Sequence, residues 1–141
     1  MAEKYIIDLV KIMSGKYKLN KIYILGFSQG AIFALRAGIK NPGIVNGIIS
    51  LSGPGLLKDL KNPFSGEPIS DWLPEKYIKN GNKLRVFIAN GDKDKSTTVE
   101  LGVRSRDILF KFGYDVTFMN FDGRHEIKSE VLVVVLKWLN K

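Results

Sequence analysis

Ser28 stands between two glycines, in Gly26-Phe27-Ser28-Gln29-Gly30, where one apolar run ends and another begins. A Gly-x-Ser-x-Gly turn between a strand and a helix lifts a serine hydroxyl off the edge of a sheet. The sharpness of such a turn predicts that a side chain at Gly26 or Gly30 would collide with neighbouring backbone. The N–H of Gln29 and the N-terminus of the helix that follows face the same point, so they are the predicted stabilisers of an oxyanion. A serine nucleophile needs a base, and the base needs an orienting carboxylate. The chain has one histidine, His125, and two neighbouring carboxylates in Asn90-Gly91-Asp92-Lys93-Asp94. The chemistry these types allow is acyl transfer. Ser28 attacks an ester carbonyl, His125 takes its proton and returns it to the leaving group, and water hydrolyses the acyl-enzyme. Each residue also has a plainer reading. Ser28 fits a tight turn that needs small residues, His125 a helix-capping or surface imidazole, and the aspartates a solvated turn.

The elements that carry these residues decide between the readings. Residues 3–13 place Ile6, Ile7, Leu9, Val10 and Met13 at helical spacing, and Ser14-Gly15 is the predicted stop. Residues 21–25 predict a buried strand, 26–30 the turn, and 31–39 a helix ending near Asn41-Pro42-Gly43. Residues 45–51 predict a second strand. Residues 53–82 hold four of the five prolines and form a long excursion with one short helix near 74–80. Its aromatics, Phe64, Trp72 and Tyr77, either line an acyl pocket together with Phe27 or form satellite core. Further strands are predicted at 84–89 and 116–121, and helices at 99–112 and 126–140. The last helix is so apolar that cover on more than one face is expected. Strands alternating with helices predict a parallel sheet covered on both faces, in one α/β domain over 1–141. Residues that follow parallel strands gather at one sheet edge. Ser28, the two aspartates and His125 all fall there, in the chain order Ser, Asp, His.

Bulk properties narrow the class. The net charge is +8, from 22 Lys and Arg against 14 Asp and Glu. The densest basic stretch, Lys16-Tyr17-Lys18-Leu19-Asn20-Lys21, is short and lacks arginine, so a solvated lysine surface is expected rather than nucleic-acid binding. There is no cysteine, hence no disulfide, thiolate nucleophile or zinc–thiolate site, which suits a reducing, cytoplasmic setting. Charges in the first eight residues argue against a signal peptide, and the longest apolar run, 131–136, is too short to span a bilayer. No metal or other cofactor is expected.

The motifs carry a resemblance. Gly26-Phe27-Ser28-Gln29-Gly30-Ala31 resembles the nucleophile motif of the carboxylesterase/acyl-protein thioesterase family of α/β-hydrolases. Ile48-Ile49-Ser50-Leu51-Ser52-Gly53 resembles the strand that follows it, and Gly123-Arg124-His125-Glu126 the histidine turn. Asn90-Gly91-Asp92-Lys93-Asp94 is similar to the family's Gly-x-x-Asp acid loop, which implies Asp94 rather than Asp92 as the acid. The resemblance implies a serine hydrolase of esters or thioesters acting without a cofactor. Two departures stand out. Lys95 occupies a position where the family often has proline, and only 25 residues precede Gly26. The family carries several strands and a second oxyanion loop before that point, so the expectation is a partial fold of about four strands. Its open sheet edge then needs cover, and a second copy forming a homodimer is the expected solution, a separate chain supplying the missing half the other; a weakly active or inactive half-domain is the alternative to an efficient hydrolase.

Overall fold

The structure is a computed structural model that describes residues 1–56, 61, 65–68, 73–81 and 83–141. Nine elements follow in the order α1 (Ala2–Lys16), β1 (Tyr23–Phe27), α2 (Gln29–Lys40), β2 (Gly47–Leu51), α3 (Glu75–Asn80), β3 (Arg85–Gly91), α4 (Val99–Lys111), β4 (Asp115–Phe121) and α5 (Ser129–Leu139). The strands form one parallel sheet in the order β1-β2-β3-β4. Each strand pairs with the next in sequence, which requires a crossover every time and explains the intervening helices.

The inner strands are apolar in every direction because both of their faces are covered. Ile48, Val86 and Ile88 face a core built with Ala34, Leu35 and Ile39 of α2, Ile78 of α3 and Leu109 of α4. Ile49, Leu51, Phe87 and Ala89 face the other way, onto Val131, Val135 and Trp138 of α5. Helix α1 lies outside α2, with Ile7 against Ala37 and Val45. Glu3 anchors it by accepting from both Arg36 and Lys40 of α2. Burial opposes the Glu3 charge, yet these two cations hold its pKa below the usual carboxylate value.

Three expectations change here. Helix α1 runs through Ser14-Gly15 to Lys16, because the Ser14 hydroxyl donates back to the Val10 carbonyl and so stays inside the helix. The turn predicted over 26–30 shrinks to Ser28, since Gly26 and Phe27 still belong to β1 and Gln29 already opens α2. Helix α5 buries one face only. Leu132, Val133, Val134 and Leu136 are exposed, because among the described residues α5 is the only helix whose buried side chains join the core on that side of the sheet. Leu25 of β1 is likewise 48% exposed, while Ile24 beside it packs under α1 and α2.

Candidate active site

Strands β1, β2 and β3 each hand their hydrogen-bond ladder to the residue just beyond them. The Ser28 N–H donates to the Leu51 carbonyl at 3.0 Å, that of Ser52 to Ala89 at 2.8 Å, and that of Asp92 to Phe121 at 2.9 Å. The loops at the C-terminal edge are therefore seated in the sheet before any side chain is considered.

Ser28 has φ 53° and ψ −124°, a backbone state that a side chain occupies at a cost of about 1–3 kcal/mol. Gly26 makes the turn possible, because a Cβ there would enter the backbone of Gly30 and Ala31. Gly30 is different. A Cβ there meets nothing within 4 Å among the described residues, so the expected collision applies to Gly26 alone. Serine is a favoured helix cap, yet the Ser28 side chain makes no capping bond to α2. Its Oγ lies 2.8 Å from His125 Nε2 instead. The N–H of Gln29 opens α2 beside it, at the position where helical N–H groups have no intrahelical acceptor.

His125 follows β4, in the loop before α5. Its Nδ1 lies 2.7 Å from Asp94 Oδ2. A carboxylate can only accept, so Nδ1 carries the hydrogen and Nε2 is left to accept from the Ser28 hydroxyl. The Phe27 ring packs on the imidazole with centroids 5.1 Å apart. Phe27 thus touches the histidine.

Asp94 side-chain atoms are fully buried, while His125 keeps 32% exposure. Oδ1 accepts the N–H groups of Ser96 and Thr97 at 2.8 and 2.9 Å, and Oδ2 lies 2.8 Å from the Thr97 hydroxyl. Burial would raise the Asp94 pKa. The bonds from the Thr97 N–H, His125, the Thr97 hydroxyl and the Ser96 N–H outweigh it and hold the carboxyl below its ordinary value. Asp92 is exposed, and its carboxylate accepts from the Gly123 N–H at 3.2 Å. Of the two aspartates, Asp94 is the one joined to the histidine.

A cavity of about 510 Å³ opens beside this chain of bonds, lined by Lys93, Asp94, Lys95, Ser96, Arg124 and His125. Lys93 pairs with Asp122. Tyr77 packs against the core under α3, away from this cavity. Phe64 and Trp72 lie outside the described residues. Among the described residues no group of acidic, histidine or cysteine side chains is arranged to hold a metal ion.

Sequence reasoning missed Thr97, whose hydroxyl reaches both Asp94 and the Ser52 carbonyl. A threonine three residues after a turn aspartate is a recognisable Asx-type partner, and that signal was available. It missed Asn90 as well. Asn90 is fully buried at the end of β3 and donates to the carbonyls of Gly53 and Thr97.

Acyl-protein thioesterase 1 of Neurospora crassa is 31% identical over 123 residues, which is 86% of this chain and 46% of that protein. Acyl-protein thioesterase 1 of Yarrowia lipolytica is 27% identical over 128 residues, covering 86% of this chain and 50% of that protein. The chain therefore spans about half the length of these curated relatives. Among solved structures, acyl-protein thioesterase 2 of Zea mays aligns with a TM-score of 0.72 at 21% identity, over 99% of this chain and 63% of that one. The Bacillus cereus carboxylesterase aligns with a TM-score of 0.73 at 16% identity, over 98% and 58%. These two share the α/β-hydrolase fold with it. The profile of one family matches residues 2–141, and by that match the chain belongs to the phospholipase/carboxylesterase family.

Proposed function

We propose that the chain is a serine hydrolase of carboxylic esters or thioesters, with Ser28 as nucleophile, His125 as base and Asp94 as its orienting acid. The observation that carries this reading is the pair of bonds at 2.8 and 2.7 Å that links Ser28 Oγ through His125 to Asp94. His125 Nε2 takes the hydroxyl proton as Ser28 attacks the carbonyl carbon. The Asp94 charge stabilises the imidazolium, which then protonates the leaving alcohol or thiol. The Gln29 N–H receives the oxyanion, aided by the N-terminus of α2. Water repeats the sequence on the acyl-serine and releases the acid. The test is intact-mass labelling with a fluorophosphonate. Stoichiometric labelling of the wild type, lost in Ser28→Ala and His125→Ala, is expected. An unlabelled, folded wild type overturns the reading.

A second reading concerns assembly and follows from the border of the sheet. The outer edge of β1 has no partner strand among the described residues, and Leu25 is exposed on it. We propose that a second copy covers this edge. Light scattering after size exclusion decides it. A dimer that Leu25→Lys dissociates is expected, and a monomer at all concentrations removes the reading.

A further inference from the structure

Ser52 is the second non-glycine residue with positive φ, at 46°. It follows β2 as Ser28 follows β1, and it is fully buried. Such backbone is costly and persists where the surroundings over-determine it. Ser52 is over-determined. Its N–H is seated on Ala89, its hydroxyl donates to the Glu126 carbonyl at 3.2 Å, and its carbonyl lies 2.7 Å from the Thr97 hydroxyl. Glu126 is the residue after His125. Thr97 Oγ1 in turn lies 2.8 Å from Asp94 Oδ2 and 3.2 Å from His125 Nδ1.

Taking Ser28, His125 and Asp94 in the roles proposed above, we infer that Thr97 and Ser52 are the positioning residues of this site, tying the aspartate loop to the histidine loop. The Thr97 hydroxyl has one proton and two acceptors. The ionised carboxylate carries a full charge and takes the larger share of that proton, and the Ser52 carbonyl takes the rest in a three-centre bond. With the proton so shared, Oδ2 holds two donors, the hydroxyl and the imidazole N–H, while Oδ1 holds the two N–H groups of Ser96 and Thr97. Four donors stop the carboxylate from rotating. They also spread its charge, so the imidazole proton stays on Nδ1. Without the hydroxyl, Oδ2 keeps only the imidazole. The carboxylate becomes more basic, the imidazolium better stabilised, and the pair looser. The other charged groups around His125 are Lys93, Lys95, Arg124 and Glu126, and the substitution leaves them in place.

The experiment uses the full chain as wild type, Thr97→Val, Thr97→Ser and Ser52→Gly. Turnover of p-nitrophenyl acetate is followed against pH, and the imidazole is followed by NMR. With one histidine in the sequence, its signals need no assignment. Thr97→Val is expected to lower kcat about tenfold with KM little changed, the size of one hydrogen bond to a charged group. Its ascending pH limb moves upward and the Nδ1 proton resonance shifts. Thr97→Ser restores all three. Ser52→Gly removes the backbone strain, so it keeps its thermal stability and still loses kcat. Wild-type kcat, pH limb and resonance in Thr97→Val overturn the inference. So does Thr97→Ser behaving like Thr97→Val, which assigns the effect to methyl packing. If Thr97→Val does not fold, Ser52→Gly with wild-type kcat overturns it. The resonance needs no turnover. A wild type that hydrolyses nothing, yet shows the expected shift in Thr97→Val, sinks the hydrolase reading and leaves this one standing.

Discussion

The serine turn and the aspartate loop follow β1 and β3 at the same edge of one sheet and are held by opposite means. The serine turn is built of backbone. Gly26 must be bare, Ser28 sits at positive φ, and the serine side chain plays no part in holding the turn. The aspartate loop is built of side-chain bonds. Asp94 is gripped by two N–H groups, a hydroxyl and an imidazole, and Asn90 fixes the carbonyls around it. A backbone device tolerates no added atom but is indifferent to polarity. A hydrogen-bonded device fails on the loss of one donor, even where the new side chain keeps the old one's volume. The two regions therefore break differently.

The largest effect is expected at Asp94. Asp94→Asn keeps the shape but offers an amide where the imidazole N–H needs an acceptor. The histidine then adopts the wrong tautomer, and kcat falls about 10⁴-fold. Steady-state kinetics on an activated ester measure it. Next is Gly26→Ala, whose methyl would enter the Gly30 backbone. A loss of about 1–3 kcal/mol in a denaturant melt is expected, together with loss of fluorophosphonate labelling. Smaller is the acid effect of Asp94, which comparison with Asp94→Asn separates from that of other carboxylates held low, such as Glu3. The folded pKa of Asp94 is lowered, so its contribution to stability is present above the unfolded value of about 3.9 and is lost as pH falls through the lower folded value. Melting temperatures of wild type and Asp94→Asn, compared by calorimetry, should differ most above about pH 4 and converge below it. The smallest effect is expected at Gly30. Its Cβ direction is open and it lies in the first turn of α2, so Gly30→Ala gains up to about 1 kcal/mol and keeps labelling. Opposite signs at Gly26 and Gly30 would sharpen the comparison, and equal losses would break it.

Much of the site was legible because strand ends in a parallel sheet share one edge. The order of Ser28, the aspartates and His125 along the chain then suffices to bring them together. The choice of Asp94 over Asp92 was not in the spacing. It came from the resemblance, and in the structure it is Asp94 that bonds the histidine while the exposed Asp92 accepts from the Gly123 N–H. Gly30 misled because the motif treats its two glycines alike, whereas only Gly26 faces backbone. Helix α5 misled because composition records how apolar a helix is and not how many neighbours it has. Its exposed leucines and valines have the composition of a buried element. Thr97 escaped because a hydroxyl gains meaning only from what it touches, and the Ser52 carbonyl it meets is 45 residues away.

The ladder bonds of Ser28, Ser52 and Asp92 have one more consequence. Loops that do chemistry usually belong to the least stable part of a protein and open independently of its core. Here Ser28, Ser52 and Asp92, at the edge that carries the candidate site, spend their amide hydrogens on neighbouring strands. Their amide exchange should be as slow as that of β2 and β3, because releasing them means parting the strands. On warming, the site then holds its shape for as long as the sheet does, and the two are lost in a single cooperative step.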